Sequence, residues 1–193
     1  MLFRFFEDCL MKTRFYAFGL VSVLGLFSSQ AVLAADGTIT FDGEITANTC
    51  AVKLDNIDGG TGTVTLPIRS VNNLLEEGNV AGLTPFTIKL SNCQISNSTT
   101  VSTYFEPGTL VNAEGRLMLS NESVATNVEI QLLNSEQGVI VAGALQGQND
   151  IPVPLQDGSA SEASLSYFAQ YYATDAVTPG QLSSQVSYTI VYD

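Results

Sequence analysis

The chain has 193 residues and a formal net charge of −12, with 19 acidic side chains, 7 basic ones and no histidine. The acidic balance argues against nucleic acid and anionic membranes as partners, because both are recognised by clustered Lys and Arg. Without histidine, Ser-His-Asp and Cys-His catalysis is excluded.

Residues 1–34 read as a cleaved secretory signal. Lys12 and Arg14 form a positive start, Phe15 to Phe27 is apolar, and Val32 and Ala34 occupy the −3 and −1 positions of a cleavage site that leaves Ala35 first. The apolar run is shorter than the about 20 residues a membrane span needs. An uncleaved anchor helix stays open as the alternative, as does the choice between Met1 and Met11 as the start. Three basic and two acidic residues leave with the signal, so the remainder carries four basic and seventeen acidic side chains. That charge serves solubility in an exported protein. Cys9 leaves too, and the expected state of Cys50 and Cys93 in an exported chain is one disulfide. The chain-entropy model values such a closure at up to roughly 4 kcal/mol. Two distant cysteines without histidine cannot complete a zinc shell.

The rest alternates short β-rich runs with turn signals, the pattern of an all-β sandwich of antiparallel strands in one domain. Asp36–Ala47 comes first. One face carries Ile39, Phe41, Gly43, Ile45 and Ala47, and the other Thr38, Thr40, Asp42, Glu44 and Thr46, as in a strand with one buried and one wet face. Such a segment at a free terminus frays unless a groove holds it. Thr49–Leu54 continues extended, Asp58-Gly59-Gly60 is a turn, and Thr61–Leu66 alternates again. Arg69 to Gly82 is loop-like, with a helical turn in which Val71, Leu74 and Leu75 share a face. Phe86, Ile88 and Leu90 alternate before Cys93. Val101–Glu106 and Leu117–Leu119 are short strands. Val128–Leu133 and Val139–Ala142 flank a hairpin loop at Asn134–Gly138, and Asp157-Gly158 is a further turn. Leu165–Tyr172 is aromatic and strongly β-forming.

Gln185–Tyr192 closes the chain with Val186, Tyr188, Ile190 and Tyr192 on one apolar face. An apolar edge with unpaired backbone groups is an aggregation hazard unless covered. The first strand can fold back into its own domain or cap the next molecule, and periodicity does not choose between them.

Four features together resemble the major-pilin family of chaperone–usher (type 1-like) fimbriae. They are the segment Gly37–Cys50 (GTITFDGEITANTC), the spacing of Cys50 and Cys93, the aromatic run Tyr167–Thr174 (YFAQYYAT), and an ending with penultimate Tyr192 and with Gly180 fourteenth from the end. The resemblance spans nearly all of residues 35–193. It implies an incomplete immunoglobulin-like β-sandwich that lacks its final strand, with an N-terminal donor-strand extension over 35–47 and a pilin domain over 48–193. Donor-strand complementation of pilins is itself a standing example of β-augmentation, so the mode comes with the resemblance. Ile39, Phe41, Gly43 and Ile45 would be the donor face. Gly180, Val186, Tyr188, Ile190 and Tyr192 would form the acceptor edge and the terminus a chaperone recognises. The implied partners are other copies or related pilins, a periplasmic chaperone, an outer-membrane usher and a host receptor reached through the assembled fimbria. The implied location is a surface fimbrium reached through the periplasm. Only four residues, Ala35 to Thr38, precede Ile39, which fits either a shaft subunit with a short donor or a minor subunit.

Other readings are a minor or adapter subunit, a stand-alone carbohydrate-binding sandwich using Tyr167, Phe168, Tyr171 and Tyr172 for stacking, and a secreted hydrolase. The last lacks support, because the carboxylate pairs Asp42/Glu44 and Glu76/Glu77 sit on a wet strand face and in a loop, with no apolar pocket to raise one pKa. No cofactor or metal is implied, and the expected function is structural and not enzymatic.

Overall fold

The structure is a computed structural model that describes residues 49–95, 97, 99–156 and 158–193. The chain divides into two units between Gly43 and Glu44, and every described residue belongs to the second. The leader and the expected donor strand, with Ile39, Phe41, Gly43 and Ile45, lie outside the described residues.

Eight strands follow in order: β1 (Thr49–Leu54), β2 (Ile57–Asp58), β3 (Val80–Ile95), β4 (Thr99–Phe105), β5 (Thr126–Leu133), β6 (Val153–Leu155), β7 (Gly158–Thr178) and β8 (Tyr188–Tyr192). They pair antiparallel into a five-stranded sheet, β2-β1-β3-β7-β5, and a three-stranded sheet, β6-β4-β8. Inward residues alternate as the strand period demands: Phe86, Ile88 and Leu90 from β3, Ile130 and Leu132 from β5, Leu165 and Tyr167 from β7, and Val101 and Phe105 from β4 are all buried. Tyr167 joins the two layers. Its ring lies 5.5 Å from Phe86 in its own sheet and 5.3 Å edge-on from Phe105 in the other, a separation at which aromatic pairs attract. The Cys50–Cys93 disulfide is present and ties β1 to β3 beside the register shift between Thr49 and Ala51.

Several expectations are corrected by the packing. Thr61–Leu66 alternates as expected but forms no strand, since residues 61–69 make no backbone hydrogen bond to another described residue's backbone. Leu117–Leu119 and Val139–Ala142 reduce to isolated bridges, two at Leu117, with Val111 and Ile130, and one between Val139 and Leu133. The turn near residue 71 is one 3-10 turn, Val71–Asn73, capped by the Ser70 hydroxyl. Its apolar residues part company there: Leu74 is buried and Leu75 is exposed. The first hairpin turns at Asp55 and Asn56, so Asp58 is already in β2. Gly158 opens β7 instead of turning. The loop at Asn134–Gly138 is as expected, closed by Asn134 N–H donating to the Gly138 carbonyl.

Candidate functional site: the free edge of the three-stranded sheet

β4 and β8 pair with Val101 opposite Tyr192, Thr103 opposite Ile190 and Phe105 opposite Tyr188. Thr100 and Asp193 exchange both backbone hydrogen bonds, at 3.0 Å each, and Glu106 N–H donates to the Ser187 carbonyl at 2.8 Å. In an antiparallel ladder such bonded pairs alternate with pairs that turn their polar groups outward. Tyr188, Ile190 and Tyr192 therefore aim N–H and C=O away from β4. No described strand stands on that side, because β8 is the end of its sheet.

The side chains of the same three residues stand out of the sheet plane, on the face turned to the core. Tyr188, Ile190 and Tyr192 are half-buried and pack on the core cluster, with Val186 and Leu182 continuing the row. Residues 181–187 precede β8 and lie outside any strand. Segment 120–125 bonds to this run, with Val124 N–H and Ala125 N–H donating to the Gln181 carbonyl and Ser120 N–H to the Ser183 carbonyl. Burial pushes the Tyr188 and Tyr192 hydroxyls up from their ordinary pKa.

A second apolar row comes from the strandless run after Gly60. Val64 and Leu66 are half-buried on the same core, and Ile68, next in the alternation, is 98 % exposed. The two rows meet at one end, where the Tyr188 hydroxyl donates to the Gly60 carbonyl at 2.7 Å. The arrangement offers free backbone groups on β8 and apolar side chains beneath them, which is what an added strand needs. Among the described residues no group of three or more His, Cys, Asp or Glu could hold a metal.

The type-1 fimbrial protein A family matches residues 66–193. The chain belongs to the type-1 fimbrial protein family. It is 44 % identical over 170 residues to the major fimbrial subunit SMF-1 of Stenotrophomonas maltophilia, covering 84 % of this chain and 96 % of that one. It is 38 % identical to the F17 fimbrial protein of Escherichia coli, over 90 % of this chain and 96 % of the other. Among solved structures the P pilus rod subunit PapA superposes with a TM-score of 0.56 at 19 % identity, over 75 % of this chain and 99 % of that one. A chaperone–usher pilus subunit superposes with a TM-score of 0.54 at 18 % identity, over 86 % of this chain and 100 % of that one. The fold is the immunoglobulin-like sandwich of chaperone–usher pilins, and the protein is a structural subunit of an extracellular fimbria.

Of the acceptor residues expected from sequence, the structure brings Val186, Tyr188, Ile190 and Tyr192 onto one row. Gly180 stands apart from it. A Cβ there would collide with the Ala125 nitrogen and lie 2.7 Å from the Val124 carbonyl carbon, so this pilin needs glycine where 120–125 crosses closely. Val64, Leu66 and Leu182 were missed as lining residues. The period-two alternation that marks the last strand runs back to Leu182 in the sequence and was the available signal. The aromatic run does not present one platform, since Tyr167 is buried in the core while Phe168, Tyr171 and Tyr172 are half-buried.

Proposed function

We propose that residues 35–47 of one subunit fill the β8 groove of the next, so that the fimbria grows by donor-strand exchange. The observation that carries this reading is the row Leu182, Val186, Tyr188, Ile190 and Tyr192, half-buried along an edge with no described neighbour. Ile39, Phe41 and Ile45 supply the donor face, and Gly43 passes where the groove is shallow. Burying each large donor side chain contributes about 1.5–3 kcal/mol, and each ladder hydrogen bond about 1 kcal/mol net. Ordering the extension costs about 1–2 kcal/mol per residue. The balance rests on the fit of the groove and on what the acceptor gains when its own core is completed.

Residues 1–34 direct export. A periplasmic chaperone covers the same edge until an outer-membrane usher exchanges it for the next subunit's extension, and the finished fimbria supports adhesion at the cell surface. The domain over 48–193 acts as acceptor and the extension over 35–47 as donor.

Thermal unfolding of residues 48–193, alone and with a synthetic Asp36–Ala47 peptide, tests the reading. The expected result is an unstable domain whose midpoint rises with the peptide and does not rise with the Phe41→Asp peptide. A domain fully stable alone and indifferent to the peptide ends it. The chain from residue 35 onward, run unboiled in detergent, should show a ladder of polymers.

A further inference from the structure

We propose that Gln148 and Asp150 decide which edge of the three-stranded sheet accepts a strand, by sealing the outer edge of β4. This rests on the donor-strand reading above and adds the residues that give it a direction.

β6 pairs with β4 only from Thr99 to Val101. Past that point Thr103 and Phe105 turn N–H and C=O toward empty sheet edge, just as Ile190 and Tyr188 do on the opposite side. Here side chains take the place of a strand. The Gln148 carboxamide accepts from Phe105 N–H at 2.9 Å and donates to the Phe105 carbonyl at 2.8 Å. It makes both bonds that a peptide group of a neighbouring strand would make, and the Gly143 N–H adds a second bond to the Phe105 carbonyl at 2.9 Å, so Phe105 N–H is the group that depends on Gln148 alone. The Asp150 carboxylate accepts from Thr103 N–H at 2.6 Å and from the Tyr167 hydroxyl at 3.0 Å. Gln148 is 7 % exposed, and the Ala144 carbonyl and Val141 N–H hold it at either end. A real strand in this position would present a further edge of its own, whereas a side chain ends the ladder. The stretch of β4 beyond β6 is thus closed to a further strand, and β8 on the opposite side is extensible.

The test uses fimbriae assembled from the full chain and from its Gln148→Ala/Asp150→Ala variant, with a fluorescent Asp36–Ala47 peptide as probe. Wild-type fimbriae, with the β8 groove filled, should take up almost none. The variant should bind at least about tenfold more, toward one peptide per subunit, as an exposed edge templates strand addition. A variant that assembles and melts cooperatively yet takes no extra peptide overturns the proposal.

Amide hydrogen exchange on unaltered fimbriae tests the seal even if the variant does not fold. Thr103 and Phe105 should be slowed by about 100-fold or more, as hydrogen-bonded amides are, and fast exchange there overturns the seal. Slow exchange at Tyr188, Ile190 and Tyr192 reports separately on the donor strand. If only those three are fast, the donor-strand reading falls and the loss is not the seal's.

Discussion

Beyond the end of β6, β4 from Thr103 to Phe105 stands like β8 with one side toward a partner strand and the other toward the outside, and their fates differ. The β4 side is closed by a loop: Asp150 accepts from Thr103 N–H, Gln148 accepts from Phe105 N–H, and Gln148 and the Gly143 N–H both donate to the Phe105 carbonyl. The β8 side keeps its backbone groups unpaired among the described residues, over a row of half-buried apolar side chains. The same sheet therefore contains a closed stretch of edge, which contributes to the stability of the subunit, and an open one, which has room for an added strand. Hydrogen-bonding capacity left open is a cost within one subunit and an attachment point between two.

That contrast can be broken from either side. The largest effect is expected from Ile190→Asp, which places a carboxylate where a covering strand would bury it. An unpaired buried charge costs several kcal/mol, so assembly should disappear from unboiled gels. The free subunit, in which Ile190 is only half-buried, should melt within a few degrees of wild type. If Ile190→Asp subunits still polymerise, the β8 edge is not the contact.

On the closed side, Gln148→Ala leaves Phe105 N–H without its partner, at about 1–3 kcal/mol. Urea unfolding of the free subunit should show that loss with an unchanged slope. Tyr167→Phe removes the hydroxyl that donates to Asp150 and should cost about 1 kcal/mol near neutral pH. It should also change the alkaline limb. Burial first, and then the neighbouring Asp150, hold the Tyr167 hydroxyl's pKa far above its ordinary value. An unfolded tyrosine titrates near about 10, so this contribution is whole below that pH and is lost as pH rises above it. The phenylalanine variant should lose stability less steeply between about pH 10 and 12, read from thermal midpoints across that range. At the small end, Thr189→Ala deletes an exposed hydroxyl contact with Glu106 and should change unfolding by under about 0.5 kcal/mol.

The open edge was legible because period-two alternation survives wherever one face is buried. Val186, Tyr188, Ile190 and Tyr192 carry it plainly, and the cysteine pair follows from counting when residues 1–34 are read as a leader. The long central strands were harder to read. β3 runs from Val80, but Pro85 and the register shift between Ala81 and Thr84 interrupt its alternation, so only Phe86–Leu90 looked like a strand. Proline is tolerated there because β1 pairs with β3 only as far as Ile88, leaving Pro85 at an effective edge. Thr61–Leu66 had the right pattern, but pattern records which face is buried and not whether a neighbour is present. The seal could not be read at all. Gln148 and Asp150 sit in a run, GALQGQND, that resembles any polar loop, and their bonds join residues 43 and 47 positions apart.

The strandless run after Gly60 also governs how the protein meets a protease. Four basic residues follow residue 34, and all four are described. Lys53 and Lys89 lie within β1 and β3, and Arg116 is ion-paired to Glu129 at 2.6 Å. Arg69 alone is exposed and outside any strand. Trypsin, which needs an extended and yielding substrate, is thus offered the bond after Arg69, beside the groove, as its foothold on a free subunit. A strand laid against that run would stiffen it, so resistance to digestion comes with assembly and not with folding.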